Sequence, residues 1–280
     1  MHSSSPALPA RVLLAGCGDL GSKVGALLHA GGIEVTGLRR RAAGTDVPFP
    51  VMSRDLSAPD GEALPEVDAV VVALTSDTSD AAGYKRTYRQ GLKGLAAALP
   101  HRGIRVIYVS STSVLGTLAG QCVTEETVPQ PERATARVLL DAENLARELF
   151  PNLTVLRPAG IYGPGRTRLI HKVRSGEPVD HGLITNRIHR DDLAAVIVQL
   201  LRQPQPIPLL HAVDKAPVPL GEVLSFIAAQ LGVPSPPDSG SGSPHGKRID
   251  ARMMHHLMEP QGLKYPTYRE GYLQVLVPPS

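Results

Sequence analysis

The chain alternates short, wholly apolar runs with longer stretches whose apolar positions recur every three to four residues. Val12 to Ala15 is apolar at each position, the sign of a strand buried on both faces. Leu20 to His29 carries a helical period, and Ile33 to Leu38 reads as a second strand. Further strands are predicted over Asp68 to Leu74, with Val70, Val71 and Val72 at its centre, over Ile104 to Ser110, and over Leu153 to Arg157. A long helix is predicted over Ser79 to Leu99 and another over Glu132 to Phe150. Alternation of this kind, with fully apolar strands, predicts an α/β fold: a doubly wound parallel sheet with helices on both faces.

Beyond about residue 160 strands become scarce and prolines frequent. Asp191 to Leu201 and Leu220 to Leu231 read as helices, and Leu209 to Val213 as a short strand. Pro, Ser and Gly crowd Val233 to Gly246, which reads as a flexible segment. The tail from Lys247 to Val277 returns to helix and loop. The expected organisation is a frayed start over 1–9, a sheet domain over 10–165 and a small C-terminal lobe over 166–280 containing the flexible segment 233–246. Met1 to Pro9 has no basic region followed by an apolar stretch, so it reads as a terminus rather than a signal peptide.

Composition narrows the function classes. The 280 residues suffice for one α/β unit and a small lobe. Hydrophobic residues make up 42% and charged residues 20%, ordinary for a soluble globular protein. The net charge of +3, with no basic stripe interleaved with aromatics, argues against nucleic acid. No apolar run approaches the ~18 residues of a membrane span. Cys17 and Cys122 show neither metal-ligand spacing nor a disulfide framework. The expectation is a cytoplasmic protein with no metal site and no membrane partner.

Gly16-Cys17-Gly18-Asp19-Leu20-Gly21 matches G-x-G-x-x-G, and it lies where the motif has meaning, after a buried strand and at the start of a helix. Gly16 lets the chain turn tightly, Gly18 lets a pyrophosphate come close, and Gly21 lets helix pack on strand. The helix start through Asp19 and Leu20 then offers N–H groups and a positive dipole end to phosphate. The alternative is a tight turn that holds no ligand. At the tip of the second strand an acidic residue would bind the ribose 2′-hydroxyl of NAD, but the chain has Arg39-Arg40-Arg41. Guanidinium groups there pair with the 2′-phosphate of NADP, so NADP(H) is expected ahead of NAD(H); the alternative is a solvated basic loop. Asp55 and Leu56 are placed near the adenine, and Ala73 and Leu74, at the end of the Val70–Val72 strand, join the expected cofactor site.

Three more segments follow in order: Tyr108-Val109-Ser110-Ser111-Thr112-Ser113-Val114-Leu115-Gly116, Leu156-Arg157-Pro158-Ala159-Gly160-Ile161-Tyr162-Gly163-Pro164-Gly165, and Asn186-Arg187-Ile188-His189-Arg190-Asp191-Asp192-Leu193. With the glycine motif they resemble, over residues 11 to about 200, the extended short-chain dehydrogenases/reductases of the NAD-dependent epimerase/dehydratase family. The resemblance implies a Rossmann sheet with a small substrate lobe, a small-molecule substrate and a homodimer. It places Ser111 at the catalytic serine; Pro158 is expected beside the cofactor, and Thr112, Arg166, Asn186 and His189 toward substrate, with a solvated basic face as the alternative for the cationic groups and fixing of the substrate lobe as the alternative for His189. The family's Tyr-x-x-x-Lys pair is missing. No tyrosine lies between Tyr108 and Tyr162 and no lysine between Lys93 and Lys172; Thr135 and Leu139 take the two places. Tyr162, just past a strand end, is the remaining candidate proton donor, with lining of the nicotinamide pocket as its alternative.

The expected function is therefore an NADP(H)-binding, epimerase/dehydratase-like oxidoreductase acting on a sugar-nucleotide or other small carbonyl or hydroxyl substrate. Its alternatives are a non-catalytic NADP(H)-binding sensor or partner-binding module, and a lyase or isomerase in which the cofactor serves structure only.

Overall fold

Four- and five-residue apolar runs are too short to bury as helices, but as parallel strands they hide both faces. In the computed structural model, which describes residues 8–41, 44, 46–58, 60–117, 120–240 and 243–276, they do so. Residues 1–7 of the expected frayed start, 241–242 of the expected flexible segment and 277–280 lie outside the described residues.

The chain runs β1 (Arg11–Ala15), α1 (Asp19–Ala30), β2 (Glu34–Arg39), β3 (Val51–Ser53), β4 (Ala69–Val72), α2 (Ala81–Tyr84), a π-helical turn (Lys85–Gln90), α3 (Gly91–Ala98) and β5 (Arg105–Val109). A 3₁₀ turn (Thr112–Leu115), β6 (Cys122–Val123), α4 (Ala134–Leu149), β7 (Asn152–Pro158), β8 (Gly160–Tyr162), α5 (Arg168–Ser175), β9 (Ile184–Thr185), β10 (Arg187–His189) and α6 (Arg190–Arg202) follow. The last elements are β11 (Leu209–Ala212), β12 (Val218–Pro219), α7 (Leu220–Leu231), β13 (Arg248–Ile249), α8 (Arg252–Leu257) and α9 (Tyr268–Leu276).

The main sheet has the order β3-β2-β1-β4-β5-β7-β11. Its pairs from β3 to β7 are all parallel, with Val12 opposite Val35 on one side and Ala69 on the other. On one face Leu13 and Ala15 of β1 pack with Val70, Val106, Leu92, Leu95 and Ala142 in one core. On the opposite face Gly25 of α1 lies against Leu14. Helices thus cover both faces, a doubly wound Rossmann sheet. The strand order reverses at β1, and in such sheets the crevice beyond the carboxyl ends at that point is where ligands collect.

The chain divides into two compact units. The first holds residues up to Gly116, Pro129–Arg157 and Ala194–Leu210; the second holds Thr117–Val128, Pro158–Leu193 and residues from His211 onward. The division differs from a single boundary near residue 165, because the chain crosses between units several times. In the second unit β8 pairs with β10, β9 with β12 and β6 with β13. Tyr162, Ile170, Val223, Ile227, Tyr268 and Tyr272 form its core. The described part of 233–246 is tied down rather than free: Val179 N–H donates to the Pro237 carbonyl at 2.9 Å, and Ile184 N–H to that of His245 at 2.7 Å. Local composition predicts a loop but is blind to backbone partners more than fifty residues away.

Candidate functional site

A cleft of about 250 Å³ opens in the first unit at the carboxyl ends of four neighbouring strands. Gly16, Cys17 and Gly18 line it after β1, Arg39 and Arg40 at the tip of β2, Arg54 to Ser57 after β3, and Ala73 to Thr75 with Asp77 after β4. Arg86, Thr87 and Gly91 complete the lining from the helix that follows. The sheet brings together Gly16, Gly18, Arg39, Arg40, Asp55, Leu56, Ala73 and Leu74, eight positions read from scattered parts of the sequence. Asp19, Leu20 and Gly21 sit one step further along, in the first turn of α1. Pro158 falls in the second unit.

The three glycines have different reasons to be there. Gly16 has φ +104°, and a Cβ on it would stand 2.4 Å from the Ala73 carbonyl oxygen. A Cβ on Gly21 would stand 2.2 Å from the Gly16 carbonyl oxygen. Both contacts are backbone and cannot be relieved by a side-chain shift. Gly18 has φ −91°, and a Cβ there would meet nothing within 4 Å. The turn is fixed by Gly16 N–H and Cys17 N–H, which donate to the Leu38 carbonyl at 3.2 and 2.8 Å. The space above Gly18, at the start of a twelve-residue helix, is thus kept open by something other than packing. That fits a pyrophosphate.

The charges around the cleft are largely paired already. Arg54 is buried, and its guanidinium is bound by Asp60 at 2.5 Å and by the Glu62 carbonyl. Both terminal nitrogens of Arg40 donate to the two carboxylate oxygens of Asp77. Arg40 first, then Arg41 and Arg86, holds the Asp77 carboxyl below its ordinary range. Asp77 escaped the sequence reading, although it lies five residues past β4, where strand-end logic directs attention.

Beneath the other expected catalytic strand end, Glu143 of α4 and Arg157 of β7 form a buried pair, with Nε to Oε1 at 2.9 Å and Nη2 to Oε2 at 2.6 Å. Ser110 donates to the same Glu143 at 2.6 Å. This holds the end of β5, from which Ser111 continues. The Ser111 hydroxyl oxygen accepts from Ser113 N–H at 3.1 Å and caps the 3₁₀ turn, with Thr112 buried behind it. That leaves the Ser111 hydroxyl proton for another acceptor.

The model of an NAD(P)H-binding family matches residues 16–204. The chain is 32% identical over 208 residues to the Escherichia coli K12 protein YeeZ, covering 70% of this chain and 74% of that one. A solved structure from Methylobacillus flagellatus, classed provisionally as an NAD-dependent epimerase/dehydratase, superposes with TM-score 0.80 at 31% identity over 95% of this chain and 97% of that one. The chain belongs to this NAD(P)H-binding family, within the extended short-chain dehydrogenases/reductases. The Bacillus cereus UDP-glucuronic acid 4-epimerase in complex with UDP-glucuronic acid and NAD shares the fold, with TM-score 0.76 at 19% identity over 95% of this chain and 98% of that one.

These findings correct the cofactor expectation. Several solved structures of this fold are complexes with NAD. Within the chain, the Arg40 guanidinium that was to receive a 2′-phosphate is already held by Asp77. The NADP(H) preference rested on a run of arginines read without their partner, which lies 37 residues further on.

For an extended short-chain dehydrogenase/reductase, the catalytic helix is bare. Thr135 is half-buried on α4 and Leu139 is buried. Tyr162, the remaining candidate for the missing phenol, is buried in the second unit. Its hydroxyl donates to the Thr267 carbonyl at 3.2 Å, its ring stacks on Tyr272 with centroids 5.0 Å apart, and burial pushes its pKa up. Asn186, expected to meet substrate, commits its amide to its own unit, donating to the Lys247 carbonyl and accepting from Ile249 N–H, both at 2.9 Å. His189 is fully buried: Nδ1 accepts from Asp191 N–H at 3.2 Å and Nε2 meets Gln274 Oε1 at 3.0 Å. Burial lowers its pKa. Arg166 is exposed on the turn after β8. The motif read as a substrate segment lies in the second unit. Among the described residues no group of His, Cys, Asp or Glu could hold a metal ion, and no helix is long and apolar enough to cross a membrane.

Proposed function

We propose that the chain binds NAD(H) in the first-unit cleft and acts as an epimerase/dehydratase-like oxidoreductase on a sugar-nucleotide or other small carbonyl or hydroxyl compound. The open space above Gly18 carries the reading, since the fold itself has no use for a glycine there. Gly18 and the first turn of α1, with Asp19, Leu20 and Gly21, take the pyrophosphate. Asp55 and Leu56 flank the adenine end, and Ala73 and Leu74 form the cleft floor toward the ribose. Bound nicotinamide supplies the hydride exchange. Ser111 hydrogen-bonds the reacting oxygen through its own hydroxyl proton. Nothing on α4 supplies a phenolate, so the proton of the reaction passes to water. Loss of a general acid or base costs roughly 10²–10⁴-fold rather than all turnover.

Thr135 and Leu139 on the catalytic helix favour a second reading, an NAD(H)-binding sensor or partner-binding module without turnover. Titrating the protein with NADH by fluorescence, then following 340 nm absorbance with a panel of UDP-sugars and simple carbonyl compounds, separates the two. NADH binding with turnover that falls at least tenfold in Ser111→Ala is the expected result. Binding without turnover on any compound supports the sensor, and no binding of NADH rejects both.

A further inference from the structure

The tip of β2 is where an acidic residue would select NAD by accepting from the ribose 2′-hydroxyl and repelling a 2′-phosphate. Here that tip is basic, Arg39-Arg40-Arg41. The carboxylate comes instead from the loop after β4, on the other side of β1 in the sheet. Asp77 reaches the β2 tip and grips Arg40 with both oxygens, and both residues line the cleft. We propose that Asp77 is the residue that makes this site select NAD(H) over NADP(H). The proposal rests on the NAD(H)-binding reading above.

The physical case has three parts. Asp77 cancels the Arg40 charge that a 2′-phosphate would need, and bidentate pairing uses the planar fork that makes arginine a good phosphate ligand. Asp77 also brings negative charge to the cleft, whose lining includes Asp55, a carboxylate whose field reaches Arg40 as well. The pair stands in solvent, with the two side chains 44% and 61% exposed. Exposed pairs of this kind add little to folding stability. A bidentate bridge between two strand-end loops is therefore better explained by what it does to a ligand than by what it does for the fold. Asp77 also has the freedom to accept a hydrogen bond from the 2′-hydroxyl of NAD on its outward side, because an ionised carboxylate offers about four acceptor directions.

The test is a cycle of four proteins: wild type, Asp77→Asn, Arg40→Ala and the double variant. NADH and NADPH affinities are measured by fluorescence titration at one ionic strength, with melting temperatures as the folding control. The wild type is expected to bind NADH more tightly. Asp77→Asn is expected to move the NADPH-to-NADH affinity ratio toward NADPH by roughly tenfold or more, the scale of one charge-assisted bidentate pair between Arg40 and the 2′-phosphate. The double variant is expected to lose that shift, since Arg40 must be present to produce it. Should Asp77→Asn melt early, Asp77→Ser provides the same test with a smaller polar side chain. NADH binding with an unchanged ratio in Asp77→Asn, or a shift that survives removal of Arg40, overturns the role of Asp77 and leaves the functional reading standing. Wild-type protein that binds neither dinucleotide overturns both.

Discussion

Alanine at each glycine of the turn after β1 separates what the fold needs from what a ligand needs. Gly16→Ala forces a side chain into a left-handed backbone and onto the Ala73 carbonyl, so roughly 1–3 kcal/mol of stability should go. Gly18→Ala meets no atom of the protein. Its melting temperature should stay at the wild-type value while NADH affinity falls by roughly tenfold or more, because the methyl occupies the approach of the pyrophosphate. Calorimetric titration beside a melting curve reads both. Unchanged NADH binding by a folded Gly18→Ala protein would remove the main support for the cofactor site. Tyr162 gives the complementary case. Tyr162→Phe loses one hydrogen bond to Thr267, about 1 kcal/mol, and turnover should be unaffected; a large loss of kcat in a stable variant would restore it as a proton donor.

Among the elements, α4 is the one whose sequence and family role part company. It has the length and amphipathic pattern of the catalytic helix, yet presents Thr135 and Leu139 where the pair belongs. What it retains is Glu143, wholly buried and shared by Arg157 and Ser110. Removing one partner of such a pair strands the other charge without solvent. Glu143→Ala should cost roughly 3–5 kcal/mol and release the end of β5 that leads to Ser111. Chemical denaturation measures the first effect, and a chain as stable as wild type would show that the pair is dispensable. The helix predicted over Ser79 to Leu99 is also instructive. Its span was legible from periodicity, but the π turn over Lys85–Gln90 was not, because a one-residue widening leaves the apolar period nearly unchanged over so short a stretch. The brief strands β8 and β10 were invisible for a related reason. Three residues carry too little alternation to announce a strand, and each forms only because the other is beside it.

At the scale of the whole molecule, the two units differ in what they bury. The first hides an apolar sheet together with the Glu143–Arg157 pair and Arg54; the second hides Arg187, Asp192, Asp214 and His189 among its tyrosines. Burial raises the Asp214 pKa to about 6, partly opposed by Arg187 and reinforced by Asp192 and Glu270. A carboxyl whose folded pKa lies above its unfolded one near 3.9 stabilises the fold fully below about pH 4. That contribution is lost as pH rises through about 6. Asp214→Asn keeps an acceptor for Ala216 N–H but cannot ionise. Whatever its absolute effect, the melting temperature of the variant relative to wild type should rise between pH 4 and pH 8. A constant difference across that range would mean that Asp214 does not titrate in the folded protein.

By itself the sequence determined the parallel sheet, the glycine turn with the packing roles of Gly16 and Gly21, and the absence of a tyrosine–lysine pair on α4. Each is a local property, written in apolar periodicity, in backbone freedom or in residue identity. Only the tertiary structure decided which charges meet. It set Asp77 on Arg40 across β1, and it folded Tyr162, Asn186 and His189 into the second unit. Side-chain partnership depends on strand order and on approach in space, and residues thirty to a hundred positions apart leave no mark of it in the chain.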